Sequence, residues 1–178
     1  MWNVVTVDGY FEGEKAWDLD FHQYAWGKDL EDFIDAQLAT VDILVYGENT
    51  YKGMFDYWSK AEGKTAEKLN AVPKIVCSRT MERADWNNTT VVKDGVAEIS
   101  ELKKEGDGNI FVFGSAILSE SLMQAGLFDE YRLCISPVLL GKGRLLFNAG
   151  IPQQKLKLLE ARPLDSGGVI LMYAPISN

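Results

Sequence analysis

Short apolar runs alternate with segments of helical period along most of the chain. Trp2–Val7 is a β-type run that stops at Asp8-Gly9. The stretch from Tyr10 to Lys28 is aromatic, acidic and glycine-punctuated with no clear period, and reads as a long loop of the kind that binds or covers something. Leu30, Phe33, Ile34 and Leu38 then mark one face of a helix opening at Asp29, with Asp29 and Asp32 at capping-box spacing. Asp42–Tyr46 is a buried-type strand that ends at Gly47, and Glu48-Asn49-Thr50-Tyr51 opens a second helix. Thr65–Ala71 reads as a short helix stopped by Pro73, and Lys74–Cys77 as a strand running into Ser78-Arg79-Thr80. Trp86–Thr89 is expected to turn into a strand at Thr90–Val92. Val96, Ile99 and Leu102 predict an amphipathic helix with Lys103 and Lys104 at its C-terminal end, where positive charge suits the helix dipole.

The run Asn109–Phe113 ends at Gly114-Ser115-Ala116, and Leu118, Leu122 and Ala125 line a helix that Gly126 terminates. Arg132–Ser136 is a strand, Gly141–Arg144 a flexible basic loop, and Gln154–Ala161 and Val169–Tyr173 two closing strands joined by a turn at Asp165–Gly168. Strands alternate with helices and then dominate. This order predicts an α/β domain of three layers, with a mainly parallel central sheet and an antiparallel C-terminal edge, over residues 1–178.

Three predicted strand ends carry binding-type residues: Gly47–Thr50, Ser78–Thr80 and Gly114–Ala116. Strand C-termini in an open parallel sheet share one edge, so these segments are expected to converge. Two strand-glycine-helix corners suit a pyrophosphate, because helix N-termini present free N–H groups and partial positive charge. The Ser78-Arg79 pair suits a further phosphate through charge-assisted bonds. Three capped turns without a ligand are the alternative.

Composition narrows the partners. The chain has 178 residues, 47% hydrophobic and 25% charged, with a net charge of −8. Such a chain is repelled by nucleic acid and by anionic lipid, and it has no long apolar segment, so neither nucleic acid nor membrane is expected as a partner. Cys77 and Cys134 sit in separate apolar runs and read as buried reduced thiols, which points to a cytoplasmic setting. His22 is the sole histidine and reads as a surface or packing residue, so no metal site is expected.

Taken together, these segments resemble the dihydrofolate reductase superfamily, and more closely the C-terminal reductase domain of the riboflavin-pathway deaminase–reductase. The residues that carry the resemblance are Val7–Tyr10, Tyr46–Tyr51, Pro73–Thr80, Trp86–Thr89, Val112–Ala116, Asp129–Leu133 and Pro137–Phe147. The resemblance implies an NADPH-dependent oxidoreductase that passes a hydride to a small heterocyclic or carbonyl substrate, and a homodimer with Arg132–Leu140 as a candidate surface. It places Gly47, Asn49, Thr50, Gly114, Ser115 and Ala116 against the pyrophosphate. Ser78 and Arg79 come near the adenosine 2′-phosphate, and Val7 lies toward the nicotinamide.

Two positions depart from the family pattern. Glu48 stands where the family often has an arginine, and a carboxylate there repels cofactor phosphate unless it points away. Val112 stands where riboflavin-pathway reductases usually carry a glutamate, which argues against the riboflavin-pathway substrate itself. Asp29-Leu30-Glu31-Asp32-Phe33 resembles the segment bearing the pterin-binding carboxylate of dihydrofolate reductases, with helix capping as the alternative role for Asp29. Asp8 is a second candidate acid, with a turn-forming role before Gly9 as its alternative. Tyr10, Trp17, Trp26, Tyr51 and Trp58 could wall a pocket for a flat ring, or serve as core or dimer contacts. A non-catalytic domain that kept the fold, binding another nucleotide or a protein, is the competing function, and Glu48 motivates it.

Overall fold

The computed structural model describes residues 1–106 and 108–176. The chain divides into two compact units, Met1–Phe33 with the chain from Phe128 onward, and Ile34–Leu127. The domain expected over residues 1–178 takes in both, and its Asp107, Ser177 and Asn178 lie outside the described residues.

The first unit is built on a four-stranded mixed sheet. Strand β1 (Trp2–Thr6) pairs in parallel with β7 (Tyr131–Ser136), in register from Trp2 opposite Arg132 to Thr6 opposite Ser136. The closing hairpin of β9 (Leu156–Pro163) and β10 (Val169–Pro175) adds antiparallel, giving the order β1-β7-β10-β9. The turn between them needs only local closure, which is why a hairpin suffices here while the parallel pair requires a long crossover.

The loop expected from Tyr10 to Lys28 is partly ordered as regular structure. Tyr10–Glu12 forms strand β2, which pairs with β8 (Arg144–Leu145) inside the segment expected to be a flexible basic loop, and Asp20–Tyr24 makes a 3₁₀ turn. Both short strands depend on each other across the sequence, with Arg144 paired to Glu12 at 3.5 Å, so no local period announces them.

Helix α1 (Lys28–Ala39) starts in the first unit and ends in the second. Its expected capping box does not form. Asp29 lies inside the first turn, and Asp32 pairs with Lys28.

The second unit holds a wholly parallel sheet, ordered β5-β4-β3-β6. Its strands are β3 (Ile43–Gly47), β4 (Lys74–Cys77), β5 (Thr89–Val92) and β6 (Ile110–Val112). Val45 lies opposite Ile75 on one side and Val112 on the other. The connections carry α2 (Glu48–Trp58), α3 (Lys64–Ala71) and α4 (Gly95–Glu105), and α5 (Ala116–Gln124) follows β6. Asp94 caps α4 by accepting from the Ala97 N–H.

The core of this unit is aromatic. Tyr46 stacks on Trp86 with ring centroids 6.0 Å apart, and Tyr51 stacks on Phe55. Trp86, expected in a turn, is buried there, giving its indole N–H to Asn70 at 2.6 Å and its backbone N–H to the Tyr51 hydroxyl at 2.9 Å. Tyr51 is therefore a core residue and not a pocket wall. Lys74 is also buried, and its ammonium closes the end of α3 by donating to the carbonyls of Leu69 and Val72, both at 2.7 Å.

Candidate functional site

Parallel strands send their C-terminal ends to one edge, and in the second unit that edge gathers the three segments expected to converge. Gly47 ends β3 and opens α2, Gly114 and Ser115 join β6 to α5, and Ser78 follows β4. Two of these corners interlock. A β-carbon on Gly47 would come within 2.1 Å of Ser115 Oγ, and one on Gly114 within 2.9 Å of Thr50 Cγ2. Each glycine thus makes room for the hydroxyl residue of the other corner.

The backbone at the second corner is unusual. Gly114 has φ +63° and Ser115 has φ +57°, the left-handed region that costs a residue with a β-carbon about 1–3 kcal/mol. Neither α2 nor α5 has a side-chain cap at its N-terminus, so their first-turn N–H groups are left to other acceptors. Ser119 N–H donates to the Ser115 carbonyl at 2.9 Å, which fixes the first turn of α5 on this strained corner.

The third segment is tied to the first through Glu48. One carboxylate oxygen accepts from Lys52 Nζ at 2.6 Å, and the other accepts from the Thr80 hydroxyl at 2.6 Å and from the Ser78 hydroxyl. Ser78 Oγ in turn accepts the N–H groups of Thr80 at 3.1 Å and Met81 at 2.9 Å. Lys52 above all, then the two hydroxyls, hold the Glu48 carboxyl down at about 2, so it is ionised at any physiological pH. The Arg79 side chain is exposed, and among the described residues no hydrogen bond or ion pair engages its guanidinium. Asn49 and Ala116 occupy the first turns of α2 and α5.

The remaining candidates lie in the first unit. Val7 is exposed just past β1, its N–H donating to the Val138 carbonyl at 3.0 Å. Asp8 is fully engaged: Thr6 donates its hydroxyl at 2.6 Å, and the N–H groups of Leu140 and Gly141 donate at 3.1 and 2.7 Å. The Thr6 hydrogen bond, with those of the backbone, holds its carboxyl below the ordinary carboxylate range. Asp29 is half-buried and accepts from the Leu30 N–H at 2.9 Å and the Asp165 N–H at 2.6 Å, which pins the β9–β10 turn to the start of α1.

Sequence reasoning included Thr80 in the converging Ser78–Thr80 segment but gave it no role of its own, and it missed the buried Tyr46 hydroxyl, which has no hydrogen-bond partner among the described residues. Thr80 had a signal, since it lies two residues beyond Ser78 in the same turn. The thiols of Cys77 and Cys134 are both pushed up to about 12 by burial, which keeps them protonated and unreactive. Among the described residues no helix is long and apolar enough to cross a membrane.

The family model of the RibD C-terminal domain matches residues 1–170. The uncharacterized protein YyaP of Bacillus subtilis (strain 168) is 31% identical over 176 residues, covering 96% of this chain and 90% of that protein. Among solved structures, a protein of Shewanella sp. PV-4 named for riboflavin biosynthesis is similar with a TM-score of 0.82 at 19% identity, over 99% of this chain and 97% of the other. Dihydrofolate reductase from Enterococcus faecalis, complexed with NADP(H) and RAB-propyl, is similar with a TM-score of 0.65 at 15% identity, over 99% of this chain and 95% of the other. At these identities the two structures show a shared fold, of the dihydrofolate reductase type.

Proposed function

The chain belongs to the family of RibD C-terminal domains, and from that premise we propose that it is a cytoplasmic reductase that uses a reduced nicotinamide dinucleotide, NADPH by family resemblance, to reduce a small heterocyclic or carbonyl substrate. The observation that carries this reading is the pair of interlocked, uncapped helix starts at Gly47 and Ser115 on the C-terminal edge of a parallel sheet. Bare N–H groups at such an edge suit a pyrophosphate. The first turns of α2 and α5, through Asn49, Thr50 and Ala116, would hold the phosphates by backbone donors. Ser78 and Arg79 would sit near the adenosine ribose.

The dinucleotide, when bound, supplies the hydride. The protein's part is to bind, orient and exclude water. In the first unit we assign Asp29 to substrate binding and proton supply, with Val7 toward the nicotinamide. Asp8 is held as a carboxylate by three donors and is better suited to locking its turn than to giving up a proton. A homodimer is part of this proposal. Strand β7 has both of its edges paired within its sheet, whereas β9 ends the sheet and exposes Leu156, Leu158 and Leu159, so the contact is better sought at β9 than along Arg132–Leu140.

Titration of the chain with NADPH, read by nicotinamide fluorescence, tests the reading. Saturable binding in the micromolar range is expected, and none at millimolar cofactor would refute it. The non-catalytic alternative, motivated by Glu48, is a domain that kept the fold but binds another nucleotide or a protein; it predicts that native mass spectrometry finds a retained ligand other than a nicotinamide dinucleotide, and that the chain oxidises no NADPH.

A further inference from the structure

Glu48 stands beside the donors that a ribose phosphate would need, and a hydroxyl group has one proton to give. The Thr80 hydroxyl donates its proton to Glu48 at 2.6 Å, and Ser78 donates its proton to the same oxygen. Ser78 Oγ is meanwhile occupied as an acceptor by two backbone N–H groups. A 2′-phosphate arriving here would find both hydroxyl protons spent and an ionised carboxylate in its place. Among the described residues of these turns the free cation is Arg79, since Lys52 is already paired with Glu48 and Lys93 donates to the carbonyls of Arg79 and Met81.

A ribose with a free 2′-hydroxyl meets the opposite situation. Its hydroxyls are donors as well as acceptors, and a carboxylate is the acceptor that commonly holds a ribose 2′-hydroxyl in dinucleotide sites, as arginine holds a 2′-phosphate. We propose that Glu48 is the residue that sets cofactor choice in this chain: it takes the Ser78 and Thr80 hydroxyls away from a 2′-phosphate, so that NADH is bound at least as well as NADPH. This rests on the reductase reading, and it replaces the preference for NADPH that Ser78 and Arg79 alone would impose.

The test is a parallel fluorescence titration of the whole chain with NADH and NADPH, for the wild type, Glu48→Ala and Glu48→Gln. The wild type should bind NADPH no more tightly than NADH. Glu48→Ala, which frees both hydroxyl protons and removes the charge, should shift the ratio of the two Kd values toward NADPH by about tenfold or more, and Glu48→Gln should shift it in the same direction by less. A wild type that binds NADPH tenfold or more tightly than NADH overturns the proposal without reference to any variant. An unchanged ratio in a Glu48→Ala protein that melts cooperatively also overturns it. Binding of neither dinucleotide by the wild type defeats the reductase reading itself, and is distinct from both.

Discussion

The interlocked corner makes a quantitative demand on Gly47. Its backbone, φ −78° and ψ 163°, is open to any residue, so a substitution there is judged by space alone. A β-carbon would lie 2.1 Å from Ser115 Oγ and 2.8 Å from Ser115 Cβ, and the next neighbour, Leu118 Cβ, is at an ordinary 3.8 Å. The Ser115 hydroxyl can swing aside, but its β-carbon is fixed to the backbone. Carbon atoms pack at about 3.5–4.0 Å, so the corner must open by roughly 0.7 Å or more. Overpacking of this kind costs about 1–3 kcal/mol, which is the expected loss for Gly47→Ala.

The partner substitution supplies the control. Ser115 has a left-handed backbone, so Ser115→Gly relieves about 1–3 kcal/mol of strain while adding about 0.5–1 kcal/mol of unfolded-state entropy, and should be neutral to stabilising. It also removes both of the atoms that a β-carbon on Gly47 would strike. In the Ser115→Gly background, Gly47→Ala should therefore cost about nothing, and the coupling in a double-mutant cycle should be about 1–3 kcal/mol. Urea denaturation of the four proteins measures this from the midpoints at constant m-value. A Gly47→Ala loss under about 0.5 kcal/mol, or a loss that Ser115→Gly fails to repair, refutes the packing argument. NADPH binding by the double variant then separates the two duties of Gly47. If stability returns and affinity does not, the bare face of Gly47 serves the ligand as well as the neighbouring corner.

Tyr46→Phe should raise stability by about 1 kcal/mol, because it removes a buried hydroxyl with no partner among the described residues and keeps the stack on Trp86; a thermal melt that moves down instead would reveal a partner for it. Burial lowers the His22 imidazole to about 4, so as pH falls from 6.5 the unfolded chain takes up a proton that the folded chain refuses, and stability should drop by up to roughly 3 kcal/mol by pH 4. His22→Gln should flatten that part of the profile in urea melts run at stepped pH. Burial likewise lowers the Lys74 ammonium to about 8, so between pH 8 and 10.5 the folded state sheds its proton first and gains up to roughly 3 kcal/mol on the unfolded state. Lys74→Met should show no such rise, and an identical alkaline profile would count against the assignment.

The parallel sheet was readable because its strands are short apolar runs, each followed by a helical period, as in Asp42–Tyr46 and then Glu48–Tyr51. Lys74–Cys77 was delimited by Pro73 on one side and the Ser78 turn on the other. What was not readable depended on distant partners. Strands β2 and β8 are too short to show a period, and each has its ladder partner in a distant part of the chain. Trp86 sits among turn-forming residues, and only the fold shows that it fills the core of the second unit. Asp29 has the composition of a cap, yet it serves a turn more than a hundred residues further along the chain.

The edge that gathers the corners divides the same way. Glycine before a helix is a local signal, so Gly47 and Gly114 could be picked out from the chain alone, although their first duty is to each other. The direction of Glu48 is not a local property. From sequence a carboxylate at that position had two options, repelling a phosphate or turning away from it. The structure gives a third, in which the carboxylate consumes the donors and is itself stabilised by them. A side chain that merely turned away could turn back at small cost when a ligand arrived. One that is held by Lys52, Ser78 and Thr80 must give up three charge-assisted bonds to do so. Its effect should therefore appear as discrimination between dinucleotides that differ only in the 2′-phosphate, and not as a general loss of affinity for both.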